Sequence, residues 1–327
     1  MTDVAAPGFD QLLPDDILDA VESAGHEATG GLLPLNSYEN RVYRVDIFDA
    51  APIVAKFYRN GRWSDAQLRE EHAFAQALAE AEIPVVAPLD DNGTLHQHGG
   101  FRFALYPCRG GRWPDLDAPD TLRQLGRLVA RIHQIGAVQP MPTRPVLDSE
   151  RLGHEPCDYL LAVDAVPPTL VDAYESLIDD LLDRVDAQFE AVGHVTEIPI
   201  HGDLHPGNIL EDGEQLHIVD TDDCCIGPAV QDLWMFLSGD EDARSRQLGY
   251  LLEGYEAFRN FDRRELALVE SLRTLRIMHY AAWLHRRRED PAFVQAFPWF
   301  GTERYWNEHI LSLREQFAAL DEPVVTD

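Results

Sequence analysis

His201-Gly202-Asp203-Leu204-His205-Pro206-Gly207-Asn208-Ile209-Leu210, followed shortly by Leu216-His217-Ile218-Val219-Asp220-Thr221-Asp222-Asp223, is the stretch whose reading decides the fold. Asp212-Gly213 between its apolar segments is a strong hairpin signal, because such a turn needs residues that tolerate positive φ. Closing that hairpin brings Asn208 and Asp220 to one open end, with Asp203 on the preceding loop. Asn208 and Asp220 offer hard oxygen ligands, too few to enclose a cation, which suits an Mg2+ that keeps waters and also binds nucleotide phosphates. Asp203 has the spacing to Asn208 of a catalytic-loop aspartate that accepts the proton of an attacking hydroxyl.

The stretch allows another chemistry as well. His201, Asp203 and His205 alternate like ligands on one strand face and, with Asp220, suit zinc or a two-metal hydrolase centre. Pro206-Gly207 breaks that strand at once, and the metal reading leaves a second clue unexplained. Lys56 is the single lysine among 27 lysines plus arginines, at the end of the apolar run Ile53-Val54-Ala55. A lysine is a compact point charge where arginine is a rigid planar fork, so its retention at one place points to a close charge contact such as a phosphate. In the following segment Leu68, Phe74, Ala75 and Leu78 share one side of a helix, and Glu71 falls in the middle of that stripe while Glu70 lies off it. A buried carboxylate needs a partner. A strand lysine paired with a glutamate on the next helix is how kinase-like folds hold an ammonium against nucleotide phosphates. The competing role for Glu71 is to cap a neighbouring loop.

Outward from these residues, the first third alternates helices and strands. Pro14 opens a helix that stops near Gly25, 42–48 and 53–58 read as strands, Ser64 and Gln67 form a capping box, and 101–106 reads as another strand. The glycine- and arginine-rich connector 108–114 marks a boundary, giving an N-lobe over 1–107 and a C-lobe over 108–327. The C-lobe reads as mostly helical, with a helix capped by Asp120 that ends near Gly136 and helical periods around 168–191, 229–256, 263–288 and 303–320. The proline-containing stretch 137–167 reads as a mobile loop.

Composition narrows the partners. The chain of 327 residues carries a formal charge of −30 spread along its length, which disfavours nucleic acid and anionic membranes as partners. The four cysteines, Cys108, Cys157, Cys224 and Cys225, have neither zinc spacing nor a disulfide framework. With no basic leader and no run of about 18 apolar residues, the expectation is a cytoplasmic protein.

On the motifs quoted, the chain resembles the aminoglycoside, choline and homoserine phosphotransferases, whose catalytic loop matches 201–210. More narrowly, Asn36-Ser37-Tyr38-Glu39-Asn40-Arg41-Val42-Tyr43, Lys56-Phe57-Tyr58-Arg59, Gly227-Pro228-Ala229-Val230-Gln231-Asp232-Leu233-Trp234-Met235 and Asp290-Pro291-Ala292-Phe293 resemble the bacterial stress response kinase A family. The resemblance implies an α+β, bilobal protein-kinase-like fold and a serine/threonine protein kinase that uses ATP and Mg2+ in envelope or oxidative stress and is itself a phosphoprotein. It implies Asp203 as catalytic base and Asn208 and Asp220 as metal ligands, with Asp220 also catalytic. Lys56 held by Glu71 would steady the nucleotide phosphates, Ser37 would touch them from the covering loop, and adenine would meet the backbone around Tyr106 to Cys108. A monomer with a protein serine or threonine as acceptor is expected. The broader fold class leaves open a small acceptor such as choline, homoserine or an aminoglycoside, and a non-catalytic nucleotide-binding regulator is the third reading.

The chain departs from true protein kinases in two places: Thr221-Asp222 follows Asp220, and Gly202 replaces the arginine before the catalytic aspartate. Control by a phosphorylated activation segment is therefore not expected. Asp222 is a candidate second metal ligand and Asp223 a turn cap. His205 is expected to brace the catalytic loop and Asp232 to anchor its backbone from below. The aromatic cluster Phe297, Trp299, Phe300, Tyr305 and Trp306 reads as packing, and Arg286-Arg287-Arg288 as the charged end of a helix.

Overall fold

The fold is seen in a computed structural model that describes residues 7–213 and 215–321. Proline has no N–H to lose at a helix start, and Pro14 opens α1 (Pro14–Ser23), which buries Ile17, Ala20 and Val21. The strands β1 (Ala28–Pro34), β2 (Arg41–Ile47) and β3 (Ile53–Phe57) follow. Next come α2 (Asp65–Glu80), β4 (His96–His98) and β5 (Phe101–Pro107). They form a five-stranded sheet in the order β1-β2-β3-β5-β4, antiparallel at each pairing. β1 and β4 lay outside the expectation: Ala28-Thr29-Gly30-Gly31 has no alternation, and backbone pairing to β2 holds it in place. β3 lies at the centre, with Lys56 between Val42 of β2 and Ala104 of β5.

Ser64 and Gln67 cap α2 reciprocally, as their spacing implied. Its buried side serves both lobes. Leu68 packs with Tyr58, Ala104 and Tyr106 against the sheet, whereas Phe74 and Leu78 enter the core of the helical lobe.

That lobe begins with α3 (Pro119–Gly136), for which Ala118 is the N-cap; Asp120 sits in the first turn and pairs with Arg123 at 2.9 Å instead of capping. The expected mobile loop is partly helical. Glu150–His154 makes a π-helical turn that runs into α4 (Glu155–Ala162), and Cys157 and Leu160 pack into a core with Tyr174, Leu182 and Leu275. Pro156 falls in the first turn of α4, where its missing N–H costs no helical bond.

The long helix α5 (Val171–Val192) leads to β6 (Ile198–Ile200), to the hairpin β7 (Ile209–Asp212) and β8 (Gln215–Ile218), and to β9 (Cys225–Gly227), which pairs with β6. Residues 229–256 divide into α6 (Gln231–Trp234) and α7 (Glu241–Tyr255). A 3-10 turn precedes α8 (Val269–Arg286), then come α9 (Pro291–Ala296) and α10 (Glu303–Ala319). Gly126 and Gly254 let α3 and α7 touch backbone to backbone, since a Cβ at Gly126 would meet the Leu251 carbonyl and one at Gly254 the Arg123 carbonyl.

Candidate active site

The loop 201–208 joins β6 to the hairpin and hangs from one buried aspartate. Asp232 of α6 accepts the backbone N–H of His201 and of Gly202, each at 2.8 Å. Its Oδ2 also meets Nε2 of His133 at 3.0 Å, and Nδ1 of that histidine meets the Tyr255 hydroxyl at 3.0 Å. Gln231 adds a bond from Nε2 to the Gly202 carbonyl at 2.8 Å. Burial works against the Asp232 charge, but the His133 hydrogen bond and nearby His201 hold its carboxyl below the usual range. Gly202 has φ +83°, and a Cβ there would run into the Asp223 carbonyl, so the glycine is required by both conformation and space.

Asn208 donates from Nδ2 to the Asp203 carbonyl at 2.9 Å, which leaves its amide oxygen for a cation. The β7–β8 register sets Asn208 opposite Val219, one residue from Asp220. Arg276 of α8 reaches Asp203 Oδ1 at 2.5 Å, and His205 Nε2 lies 3.7 Å from Oδ2. His205 Nδ1 accepts the Gly207 N–H at 3.0 Å, and His201 Nε2 lies 3.1 Å from the Val219 carbonyl. Both histidines are thus bound within their own hairpin loop. The zinc set is not assembled, and no group of three or more His, Cys, Asp or Glu side chains fit to hold a metal occurs among the described residues.

Lys56 reaches this loop from the other lobe. Its Nζ is 2.7 Å from Asp220 Oδ1 and 3.4 Å from Asp222 Oδ1, with the Tyr58 ring 5.5 Å away. Burial works against the ammonium, yet Asp220, Asp222 and Glu71 hold its pKa well above the ordinary value. The side chain is 8% exposed while that of Asp220 is 51% exposed, so the pair runs from the interior to the mouth of the cleft. Asp220 adopts φ 61°, ψ 64°, in the left-handed region that is uncommon for residues other than glycine. Glu71 sits beside the lysine without pairing to it directly. Its Oε1 accepts the Thr221 hydroxyl at 3.1 Å and its Oε2 has no hydrogen-bond partner, so burial, countered by Lys56, pushes its pKa up to about 7. The capping role, weighed against the lysine pair, describes this bond to Thr221 better.

Asp222 is almost fully buried, and cations and an amide surround it, although its Oδ1 has no hydrogen-bond partner among the described residues. It is bound by the Arg62 guanidinium, by Asn40 Nδ2 at 3.2 Å and by Lys56, and Arg144 donates to its carbonyl at 2.5 Å. A carboxylate so engaged serves as a strut between lobes. Asp223 is a second arm of the same strut, at 2.5 Å from Arg62 Nη2, which depresses its pKa against the effect of burial. Arg62, Arg144 and Arg276 were invisible as sequence signals: each stands at a turn or on an otherwise ordinary helix, and only the fold gives it partners.

The motif blocks that catalysis leaves unexplained meet above this strut. Glu39 accepts the Trp283 indole N–H at 2.7 Å and pairs with Arg287, while Arg41 and Arg59 both hold Asp290, at 2.7 and 2.9 Å. Asn40 Oδ1 receives the Arg59 N–H at 3.1 Å, and Tyr38 packs on Phe297 at 4.8 Å. The loop 35–40 is thus strapped to α8 and α9. Ser37 lies in it, half-buried, and no side-chain hydrogen bond ties it to its own turn among the described residues.

The donor set fits a nucleotide with a divalent cation. Lys56 has three N–H bonds and one hydrogen-bond partner, so phosphate oxygens have donors to meet. Asp220 and the free oxygen of Asn208 are two hard ligands at the mouth of the cleft.

A family model described as "Phosphotransferase enzyme family" matches residues 31–269. The sequence is 43% identical over 317 residues to stress response kinase A of Escherichia coli strain K12, covering 96% of this chain and 95% of the relative. It is 41% identical, with the same coverage, to the serine/threonine protein kinase RdoA of Salmonella typhimurium strain LT2. Among solved structures, a microcompartment-associated aminopropanol kinase superposes with a TM-score of 0.68 at 18% identity, over 94% of this chain and 99% of that one. An amicoumacin kinase in complex with AMP-PNP and Ca2+ gives 0.68 at 17% identity, over 90% of this chain and 92% of that one. At such identities the likeness is one of fold, and it is the α+β bilobal fold expected.

Proposed function

The chain belongs to the phosphotransferase enzyme family and, within it, to the stress response kinase A group, and from that membership we propose that it is an ATP- and Mg2+-dependent serine/threonine protein kinase of a bacterial stress response. Bound Mg·ATP supplies the γ-phosphoryl group and the cation that neutralises its charge. Asn208 and Asp220 hold the ion, Lys56 takes the α and β phosphates, Ser37 adds a contact from the strapped loop, and Tyr106 to Cys108 offer backbone groups to adenine. Asp203 accepts the proton of the attacking hydroxyl through one carboxylate oxygen while Arg276 fixes the other. Glu71 keeps Thr221, and through it the Asp220 turn, in register with α2.

One observation carries the choice of a protein acceptor. Arg276 links Asp203 to a cavity of about 830 Å3 lined also by Tyr280, Trp299, Arg304, Tyr305 and Glu308. Its carboxylate, Glu308, is already bound to Arg304 at 2.8 Å. A polycationic aminoglycoside or a choline needs uncompensated carboxylates or a cage without cations, whereas a surface of rings and arginines suits a peptide. No described helix is long and apolar enough to cross a membrane, and the proposed setting is a cytoplasmic monomer.

The test is transfer of labelled γ-phosphate from Mg·ATP to generic protein substrates, to the protein itself, and to choline, homoserine and aminoglycosides. Label on protein serine or threonine, falling about 10³-fold or more in Asp203→Ala with nucleotide binding retained, is expected for a positioned general base. Lys56→Arg should also cripple transfer although it keeps the charge. Label confined to a small molecule would assign metabolite or antibiotic phosphorylation instead.

A further inference from the structure

Beside the strap lies a cavity of about 480 Å3 whose lining includes Arg59, Arg62, Arg151, Arg286 and Arg287 with one acid, Asp223. In a chain of formal charge −30, such a concentration of guanidinium groups is the reverse of the average surface. The site residues Lys56, Asp203, Asn208 and Asp220 do not line it.

The carboxylates around the cavity are oversubscribed. Glu39 faces Arg59 at 3.2 Å, Arg62 at 3.8 Å and also Arg287, and Asp223 is taken by Arg62. Arg151 and Arg286 have no carboxylate partner among the described residues; they lie over the Trp63 and Tyr159 rings, 5.9 and 4.6 Å from the centroids. Trp63 also carries Arg62 at 5.1 Å and Arg144 at 4.0 Å, and Trp283 carries Arg287 at 4.7 Å. A ring face attracts a guanidinium without consuming its N–H donors. The Arg287 Nε is buried without a hydrogen-bond partner. Burial together with Arg62 and Arg59 brings Arg287 down to about 10 despite Glu39, and burial with neighbouring Arg151, Arg286 and Arg287 brings His279, on the cavity wall, down to about 4. These are the marks of cation surplus in a confined space.

We infer that this cavity binds a phosphomonoester dianion, held by bidentate N–H pairs from the arginines that lack a carboxylate and shared with those that hold the strap. Planar forks match phosphate oxygens two at a time, and a dianion supplies the missing negative charge. Arg62 both lines the cavity and grips Asp222 and Asp223, so a phosphate there shares a guanidinium with the contact between the lobes next to Asp220. The phosphate is a free small molecule or a phosphorylated serine or threonine side chain; the two share the chemistry.

The experiment compares melting temperature and calorimetric binding of the full chain in inorganic phosphate, O-phosphoserine and a phosphoserine peptide, each against sodium chloride at equal ionic strength. A stabilisation of on the order of 2 °C or more at saturating phosphate is expected for a ligand of the native state alone. Affinity should fall about tenfold or more in Arg151→Gln/Arg286→Gln and persist in Lys56→Met, which separates the cavity from the nucleotide site. An unchanged melt of the double variant in chloride certifies its fold, and Arg286→Gln alone is the milder variant. Peptide binding about tenfold tighter than inorganic phosphate identifies a protein-borne phosphate, and equal affinity a free one. A phosphate response that survives Arg151→Gln/Arg286→Gln, or that vanishes in Lys56→Met, overturns the assignment.

Discussion

Asp232 and Asp222 are both buried aspartates next to the same cleft, ten residues apart, and they hold it in different ways. Every partner of Asp232 belongs to the helical lobe: the N–H groups of His201 and Gly202, and His133. Asp222 draws its partners across the cleft, from Lys56, Arg62 and Asn40. The proposed proton acceptor is thus positioned by one lobe alone, whereas the phosphate side is complete only with both lobes together. Floor and cover should therefore respond differently to mutation, to pH and to salt.

The largest effect is expected at the floor. Asp232→Ala strands two backbone donors and a buried histidine, and breaking such a network costs about 3–5 kcal/mol. Denaturant unfolding should register that loss; a change under about 1 kcal/mol would show that the loop is held by the hairpin and not by Asp232.

Between floor and cover stands Glu71. Its pKa of about 7 in the folded chain lies above its ordinary 4.5, so its contribution to stability is fully present below about 4.5 and is lost as pH rises through 7. Glu71→Gln cannot ionise and escapes that loss. The melting temperature of the variant relative to wild type should rise between pH 5 and 8, by an amount equivalent to about 2 kcal/mol, and level off above. A difference that stays flat with pH would mean that Lys56 fully compensates the carboxylate.

The smallest effect belongs to the strap. Asp290→Asn keeps the cap on α9 but removes the charge held by Arg41 and Arg59, which should cost about 1 kcal/mol at low salt and fade towards 1 M salt. A loss as large as that of Asp232→Ala, or one insensitive to salt, would erase the distinction between rigid floor and ion-paired cover.

What could be read ahead of the structure follows from the range of the forces involved. The hairpin, the capping box and the stripe of α2 are written within a few residues, so the meeting of Asn208 and Asp220 at one open end and the burial of Glu71 were legible. The anchoring by Asp232 was legible as well, through its place early in a helix. Arg62 was not, because its partners lie about 160 residues away and nothing local distinguishes it from the other arginines. The hydrogen-bond partner of Glu71 was not legible for the same reason: Lys56 is its strongest charge neighbour, but the bond is made to Thr221, 150 residues away. The helix α4 was hidden by prolines, one of which starts it.

The solitary lysine has a use outside chemistry at the cleft. A protease that cuts only after lysine has one target in this chain, the bond between Lys56 and Phe57, and that bond lies in the central strand with partners on both sides. Cleavage requires β3 to leave the sheet, which fraying of an edge strand cannot achieve. Such digestion is a built-in clock for the opening of the N-lobe, read as one band becoming two, and each ligand that closes the cleft should slow it.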